Sequence, residues 1–201
     1  MAGMTDRTSP PLIDDDALDE LEREFVGRVR GRVLEIGAGD GENFGALHPD
    51  VTWIGLEPDA DRRTELATRA REWRHEAAPI DGVAERIPLP DASVDAVVGT
   101  YVLCSVTDPA AALAEVRRVL VPGGRVVFVD HVVAPPRTVK RVVQRTATPL
   151  SVRFCHGCHW DRDTAANLAA AGFAGDDVRR LRVRAGLFGP VPTLLFDGHA
   201  G

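Results

Sequence analysis

The sequence predicts an α/β protein with a doubly wound, mostly parallel seven-stranded sheet, helices on both faces and an antiparallel edge hairpin. Short apolar segments of strand character alternate with amphipathic helical segments along most of the 201 residues, which is typical of such sheets. The strand segments are continuously apolar, as expected when helices cover both faces of a sheet. A glycine-rich turn also follows the first strand segment, where doubly wound folds bind ligands.

The first part of the chain contains three predicted strands. Residues 1–16 are polar and rich in proline and are expected to form a flexible tail. Asp14, Asp15 and Asp16 then place negative charge at the start of a helix. The following segments are, in order, a strand over Arg32–Ile36, a helix from about Glu42 to Leu47, a strand over Val51–Glu57, a helix from Asp59 to about Trp73 and a strand over His75–Ile80.

The rest of the chain completes one predicted domain over residues 17–201. Val94–Thr100 is the fourth strand, and Asp108 with Pro109 begins a helix that Pro122-Gly123-Gly124 ends. Arg125–Asp130 is then the fifth strand. The remaining predicted elements are a helix over Asp161–Ala171 with Asp161 as its N-cap, and an antiparallel pair of strands over Val178–Val183 and Val191–Phe196.

Composition and charge exclude several classes of protein. Hydrophobic residues make up 44% and charged residues 27% of the chain, as in globular proteins. A formal net charge of −6 offers no basic face for nucleic acid. No apolar run is long enough to cross a bilayer, and the N-terminus lacks the apolar region of a signal peptide. With three cysteines, these features predict a reducing, cytoplasmic location.

The glycine-rich turn predicts a nucleotide-like ligand that carries positive charge. Its glycines are Gly37, Gly39 and Gly41, and the acidic Glu35 precedes them. Their spacing differs from the G-x-G-x-x-G of nicotinamide-binding folds, and Glu35 with Asp40 would repel a pyrophosphate. Glu57, at the end of the second strand, is placed to accept hydrogen bonds from both hydroxyls of a ribose. S-adenosylmethionine has a ribose and cationic groups but no phosphate, and it suits these acids better.

The chain resembles the class I S-adenosylmethionine-dependent methyltransferases over roughly Gly31 to Phe196. The turn, the acid after the second strand and the Leu120-x-Pro122-Gly123-Gly124 segment match this family in order. The resemblance implies a Rossmann-like fold and S-adenosylmethionine as the cofactor. It implies that Glu35, Gly37, Gly39 and Gly41 surround the methionine part, that Glu57 binds the ribose, and that Ala84 and Glu85 bind the adenine. Thr100 and Tyr101, at the fourth strand end, join the cofactor-binding candidates.

A closer resemblance is to the methyltransferase-like family seven proteins. It rests on Val98–Val106, on Asp130-His131-Val132 and on Gly157–Thr164. Animal members of that family are membrane-associated enzymes that methylate alkyl thiols, whereas this sequence lacks their hydrophobic N-terminal anchor. The resemblance implies a thiol or another soft nucleophile as the methyl acceptor.

The loop Phe154–His159 contains two cysteines and two histidines. The c-type haem pattern formed by Cys155, Cys158 and His159 requires export, and four candidate ligands within five residues do not readily form one zinc tetrahedron. The sequence therefore predicts no metal site. The loop is interpreted either as a cap of the following helix or as a cover over the acceptor. The candidate catalytic residues are His131, His156, Cys158 and His159, whereas Cys104 is interpreted as a small core residue.

Residues 135–160 are predicted to form a lid or loop on the acceptor side. The basic and apolar stretch Pro136–Arg153 fits such a lid, a helix on an anionic membrane surface or a solvated helix face. The predicted function is methyl transfer from S-adenosylmethionine to a small-molecule acceptor, preferably a thiol or another soft nucleophile. The alternatives are O-, N- or C-methylation of a lipid, quinone or secondary metabolite, a non-catalytic S-adenosylmethionine-binding protein, and a haem or metal redox protein. Nothing in the sequence indicates the oligomeric state.

Overall fold

Seven strands form one mixed sheet in the computed structural model, which describes residues 9–154, 157–186 and 189–201. In chain order the strands are β1 (Leu12–Ile13), β2 (Arg32–Ile36), β3 (Thr52–Leu56), β4 (Val94–Thr100), β5 (Leu120–His131), β6 (Phe173–Val183) and β7 (Val191–Ala200). Their order across the sheet is β1-β6-β7-β5-β4-β2-β3. Strand β7 is antiparallel to both β5 and β6, and all other neighbours are parallel. The predicted fold class is confirmed.

Four of the six described helices begin where an aspartate accepts hydrogen bonds from exposed backbone N–H groups. The helices are α1 (Asp15–Val26), a short 3-10 helix (Glu42–Gly45), α2 (Ala60–Glu72), α3 (Pro109–Val119), α4 (Val139–Phe154) and α5 (Thr164–Ala170). Asp14, Asp59, Asp108 and Asp163 are the N-caps of α1, α2, α3 and α5. Each carboxylate satisfies donors that have no partner within the first helical turn.

Alternate residues of the strands pack on opposite faces of the sheet. In β2 and β5, Leu34 and Phe128 belong to one buried cluster, which includes residues of α3 and α5. Val33 and Val127 belong to the other cluster, which includes residues of α1 and α2. Because both faces are covered by helices, the strands present their carboxyl ends, and not their faces, to ligands.

The prediction of a strand over His75–Ile80 is wrong. Within this segment only Ile80 forms a strand-like pairing, an isolated bridge to Leu56. Pro79 has no N–H group to donate to a neighbouring strand, and Glu76 and Ala78 are exposed. The seventh strand comes instead from β1, which lies within the predicted tail and pairs with Arg182 and Val183 of β6. Residues 1–8 lie outside the described residues.

Several element boundaries also differ from the prediction. Helix α5 begins at Thr164 with Asp163, not Asp161, as its N-cap, because the Asp163 carboxylate accepts a bond from the Ala166 N–H. The Pro122-Gly123-Gly124 segment lies inside β5, since α3 already ends at Val119. The helix expected from Glu42 to Leu47 is only a four-residue 3-10 helix. Across the described ranges, no helix is both long enough and apolar enough to span a bilayer.

One side of helix α4 packs against the segment that follows β5, and its other side is exposed to solvent. Gln144 is buried, and its Oε1 accepts a hydrogen bond from the Ala134 N–H at 2.7 Å while its Nε2 donates to the Val132 carbonyl at 3.1 Å. Val139 and Val142 point outward and are 81% and 62% exposed. The described part of the predicted lid, residues 135–154 and 157–160, thus contains a helix docked beside the end of β5, with an apolar stripe on its outer side.

Candidate active site

The glycine-rich turn lies between β2 and the 3-10 helix, at the carboxyl ends of the parallel strands. Gly37 has a φ angle of +60° and Gly39 one of +55°, values that favour glycine. A Cβ atom on Gly37 would lie 2.5 Å from Cγ2 of Val102, so that position has no space for a side chain. At Gly39 the atom nearest to an added Cβ, the Gly37 carbonyl oxygen, is 3.9 Å away. The backbone at Gly39 therefore borders open space that a ligand can enter.

Glu35 is buried near the end of β2, and both of its carboxylate oxygens accept hydrogen bonds from side chains. Asn43 donates to Oε1 and Trp53 Nε1 donates to Oε2, each at 2.7 Å. Burial raises the pKa of Glu35, and the two hydrogen bonds oppose this shift. Asn43 Nδ2 also donates to Thr100 Oγ1 at 3.0 Å. Glu35 thus connects β2 to β3 and, through Asn43, to β4.

Glu57 directly follows β3 and connects that strand to the glycine-rich turn. Its Oε2 accepts from the Gly39 N–H and its Oε1 accepts from the Asp59 N–H, each at 3.0 Å. The side chain is buried, with 5% of the residue exposed. Because a carboxylate oxygen can accept more than one hydrogen bond, both oxygens keep acceptor capacity for a ligand.

Ala84 and Glu85 lie in the loop between Ile80 and β4, and they have different surroundings. Ala84 is buried. The Glu85 carboxylate accepts from the Thr107 N–H at 2.7 Å and from the Asp108 N–H at 3.2 Å, so it stabilises the segment before α3. An open groove of about 470 Å³ lies beside Glu57 and Ala84. Its lining comprises Pro58, Asp81, Gly82, Val83, Arg86, Ile87 and Pro88.

Tyr101, which follows β4, contacts both α1 and the end of β5. Its backbone has a φ angle of +57°, and its hydroxyl donates to the Glu22 carboxylate of α1. Burial raises the pKa of both Tyr101 and Glu22. The centre of the Tyr101 ring lies 4.8 Å from that of the His131 ring. The ends of β4 and β5 are thereby held together.

Near the ends of β4 and β5, the structure brings His131 and Cys158 together with Cys104. The Cys158 Sγ atom is 3.7 Å from Nδ1 of His131. A hydrogen bond with Cys158, together with burial, raises the pKa of Cys104 to about 12. The His159 N–H donates to the Cys104 carbonyl at 2.8 Å, and burial lowers the pKa of the His159 side chain. His156, the fourth catalytic candidate, lies outside the described residues.

Sequence reasoning missed three residues that organise this site. Asn43 and Trp53 bind Glu35, and the fully buried Asp130 accepts a hydrogen bond from the Cys104 N–H at 3.0 Å. Burial raises the pKa of Asp130 well above its usual range. In the sequence, the only indication of a role for Asp130 is its place directly before His131, at the end of a predicted strand. Asn43 and Trp53 gave no signal, because their partner is distant in sequence.

The polar groups of the cleft fit S-adenosylmethionine. Glu57 keeps acceptor capacity for a ligand and the buried Glu35 adds a second acid near the turn, whereas a phosphate would need donors or positive charge. Asp40, at the turn, lies 3.6 Å from Arg69 and faces partly to solvent. A cationic amine or sulfonium and a pair of ribose hydroxyls suit such acceptors, and the space at Gly39 leaves room for them.

Comparison with known proteins identifies related sequences. A family model described as a methyltransferase domain matches residues 34–128. The chain is 34% identical over 168 residues to thiol S-methyltransferase TMT1B of Rattus norvegicus, covering 78% of this chain and 69% of that protein. It is 33% identical over 156 residues to thiol S-methyltransferase TMT1A of Homo sapiens, covering 76% of this chain and 64% of that protein.

Solved structures share the fold. The YcgJ protein from Bacillus subtilis superposes with a TM-score of 0.72 at 22% identity, covering 92% of this chain and 98% of that chain. A geranyl diphosphate methyltransferase in complex with S-adenosylmethionine superposes with a TM-score of 0.72 at 18% identity, covering 93% of this chain and 86% of that chain. At these identities the similarity concerns the architecture of the sheet and its helices.

Proposed function

The chain belongs to the S-adenosylmethionine-dependent methyltransferase family, and we propose that it transfers the methyl group of this cofactor to a small-molecule thiol. The observation that carries the choice of acceptor is the match to thiol S-methyltransferases over about two thirds of their length. The cytoplasmic location expected from the sequence stays a prediction.

The proposed cofactor contacts follow the strand ends. The turn from Glu35 to Gly41 borders the methionine part, and the free acceptor capacity of Glu57 serves the ribose hydroxyls. The groove beside Ala84 takes the adenine, for which Pro58 and Val83 provide apolar contacts. Glu85 contributes by fixing the loop, since its Oε1 atom already accepts two backbone hydrogen bonds.

The proposed acceptor position lies beyond Tyr101, near His131, Cys158 and His159. When bound, S-adenosylmethionine supplies a methyl group on a positively charged sulfur, which a nucleophile displaces in line. Holding the acceptor at these strand ends removes the need for the two reactants to meet in solution. Residues 135–160 are proposed to cover this position, with α4 docked through Gln144.

Methyl transfer to a thiol also requires that the thiol lose its proton, since the thiolate is the nucleophile. An unperturbed thiol has a pKa of about 8.5, so only a few per cent is thiolate near neutral pH. The lowered pKa of His159 favours the neutral ring, which can accept a proton. We assign His159 this assisting role and place His131, which lies against the aromatic ring of Tyr101, beside the acceptor sulfur.

A transfer assay with methyl-labelled S-adenosylmethionine tests the proposal. Purified full-length protein is incubated with a panel of alkyl thiols, phenols, amines, a quinone and phospholipid vesicles, and label in each product is counted. We expect label on the thiols, with rates at least about tenfold above those of oxygen and nitrogen acceptors of similar size, since thiolates are the stronger nucleophiles.

The panel separates the competing functions. Label on a phenol, amine, quinone or lipid, with none on any thiol, would replace the thiol proposal with that acceptor class. Tight cofactor binding without any S-adenosylhomocysteine across the panel would indicate a non-catalytic binding protein. A haem absorption band in the purified protein would favour the redox alternative.

A further inference from the structure

Three potential metal ligands that are far apart in the sequence meet beside the proposed acceptor position. Cys104 follows β4, His131 ends β5 and Cys158 lies in the loop before α5. Their ligand atoms all lie within 4.8 Å of one another. Cys104 and Cys158 are 1% and 6% exposed, and His131 is partly exposed. The cluster is thus buried on its sulfur side and accessible near the imidazole.

The spacing of these atoms fits a tetrahedral zinc ion. With Zn–S distances of ~2.3 Å and Zn–N distances of ~2.0–2.1 Å, tetrahedral geometry separates a sulfur and a nitrogen ligand by ~3.6 Å and two sulfur ligands by ~3.8 Å. The observed separation of Cys158 Sγ and His131 Nδ1 is 3.7 Å. Closing the remaining separations, none above 4.8 Å, needs movements of ~1 Å or less.

The backbone around the ligands is already held in place. The Cys104 carbonyl accepts from the His159 N–H, and the Leu103 carbonyl accepts from Nη1 of Arg162, each at 2.8 Å. The Val133 N–H, two residues after His131, donates to the Arg162 carbonyl at 2.8 Å. The three segments that carry the ligands are therefore joined by hydrogen bonds, and ligands held in this way lose little entropy on binding a metal.

A buried carboxylate beside the cluster is a second, independent sign of a cation. Oδ1 of the fully buried Asp130 accepts from the N–H of Cys104 at 3.0 Å. Its Oδ2 has no hydrogen-bond partner among residues 9–154, 157–186 and 189–201. Buried carboxylate oxygens are rarely left without a partner. A cation bound by Cys104 and its neighbours would lie next to this carboxyl group and would interact favourably with its unpartnered oxygen.

We propose that Cys104, His131 and Cys158 bind one zinc ion, with the fourth coordination position taken by the sulfur of the acceptor thiol. Two thiolates and an imidazole are soft or intermediate ligands that select zinc over magnesium or calcium. Three protein ligands with one open position are typical of catalytic rather than structural zinc. This proposal rests on the proposed function for the identity of the fourth ligand, whereas the metal site itself does not depend on it.

At this site the methyl group moves from the sulfonium sulfur of S-adenosylmethionine to the sulfur of the acceptor. The acceptor thiol binds the zinc ion and releases its proton to solvent. A lone pair of the bound sulfur forms a bond to the methyl carbon, and the bond from that carbon to the sulfonium sulfur breaks with its electron pair left on S-adenosylhomocysteine. The thioether product leaves the zinc ion, whose oxidation state is unchanged. Ionising the whole acceptor population at pH 7 raises the thiolate fraction at most about thirtyfold.

Cobalt substitution tests the metal site without any activity measurement. Reduced full-length protein is stripped with a chelator and titrated with Co²⁺, which reports thiolate ligation by a charge-transfer band and tetrahedral geometry by intense visible absorption. We expect saturation at one equivalent and displacement of cobalt by Zn²⁺. Cys104→Ser, Cys158→Ser and His131→Ala should each weaken cobalt binding at least about tenfold, since each removes one ligand.

His159→Ala is the matched control, because it removes a histidine of the same loop that lies outside the cluster. It should keep both bands, and circular dichroism confirms that each variant is folded. Absence of the charge-transfer band in reduced wild-type protein would overturn the site. Equal cobalt affinity in wild type and all three ligand variants would overturn it as well.

The two proposals fail in different ways. Equal rates of thiol methylation by zinc-loaded and stripped protein would overturn the role of the metal in acceptor activation, while the proposed function stands. A cobalt signal that depends on the three ligands, in a protein that methylates no thiol, would support the metal site and contradict the proposed function. Addition of an alkyl thiol should also shift the cobalt spectrum, and an unchanged spectrum would contradict its place as the fourth ligand.

Discussion

At the scale of single residues, two buried carboxylates near the glycine-rich turn have different hydrogen-bond partners. Glu35 accepts hydrogen bonds from the side chains of Asn43 and Trp53, and it holds β2 and β3 around the turn. Glu57 accepts only from the backbone N–H groups of Gly39 and Asp59, and it borders the open side of the turn. We therefore propose that Glu57, and not Glu35, contacts the cofactor directly.

Replacing Glu57 with alanine should weaken S-adenosylmethionine binding by about 10- to 100-fold. The change removes a charged acceptor for the ribose hydroxyls, and a hydrogen bond to a charged group contributes about 1.5–3 kcal/mol. Isothermal titration calorimetry measures the affinity. Glu65→Ala, on the exposed face of α2, is the matched control and should bind as wild type does. Unchanged affinity in a folded Glu57→Ala protein would remove the ribose assignment.

The site residues that sequence could predict are those whose role follows from their place in a local pattern. Gly37 and Gly39 were predicted from their spacing after a strand, and their positive φ angles explain why glycine is needed. Cys104 is buried, as predicted, but its position beside His131 and Cys158 could not be predicted, because these neighbours come from two other parts of the chain. Contacts between distant segments leave no local pattern in the sequence.

At the scale of elements, the loop after Ile80 is fixed by α3. Oε2 of Glu115 accepts from the Ile87 N–H at 2.9 Å. Arg118 donates to the carbonyls of Ile87 and Leu89, each at 2.8 Å, and forms an ion pair with Glu115. The hydrogen bonds that Glu115 accepts, chiefly the one from Arg118, lower its pKa. The loop that carries Ala84 is thus shaped by side chains of a neighbouring helix and not by strand pairing.

Replacing Glu115 with glutamine should raise the KM for S-adenosylmethionine a few-fold and leave kcat unchanged. Losing the charged partner of Arg118 and of the Ile87 N–H loosens the loop beside the adenine groove, at a cost of about 1 kcal/mol at this partly exposed site. Steady-state kinetics with varied cofactor separates the two constants. Arg117→Gln, which changes a side chain of α3 that bonds to Ala171 and Gly172, should leave the KM unchanged. A fall in kcat alone would contradict this positioning role.

The same loop explains why one element of the sheet was not predicted. His75–Ile80 has an apolar end that resembles a short strand, yet Pro79 and the exposed Glu76 leave only the bridge at Ile80. The strand β1 has only two residues, too few for a pattern, and its pairing with Val183 is decided by β6. Long apolar strands such as β4 were predicted with the correct bounds, because a run of consecutive apolar residues indicates a buried strand.

At the scale of the whole molecule, an ionic network joins the N-terminal helix to the antiparallel part of the sheet. Asp197 of β7 is 1% exposed and accepts from Arg125 of β5 at 2.7 and 2.6 Å. Arg28, which follows α1, binds Asp197 at 2.8 Å and Asp177 of β6 at 3.0 Å. One buried carboxylate thus connects two strands and a helix that are distant in the sequence.

The ionisation of Asp177 and Glu24 determines the pH range in which this network stabilises the fold. Hydrogen bonds from Arg179 lower the pKa of Asp177, and hydrogen bonds from Arg28 lower that of Glu24. A lowered pKa in the folded state means that the stabilisation is present above the unfolded pKa, about 4 for these groups, and is lost as the pH falls through the folded value. At pH 7 both carboxylates are therefore ionised and fully stabilising.

Replacing Asp197 with asparagine should lower the free energy of unfolding at pH 7 by about 2 kcal/mol. Breaking a fully buried ion pair costs about 3–5 kcal/mol. We expect a smaller loss here because the Arg28 and Arg125 side chains are 24% and 41% exposed, so that solvent weakens their attraction to Asp197. Urea denaturation followed by circular dichroism measures the change. Asp176→Asn, which alters an exposed partner of His199, should change stability by less than about 0.5 kcal/mol. If both variants lost the same free energy of unfolding, the buried Asp197 would contribute no more to stability than an exposed aspartate. Hydrophobic packing alone would then join α1 to the antiparallel strands.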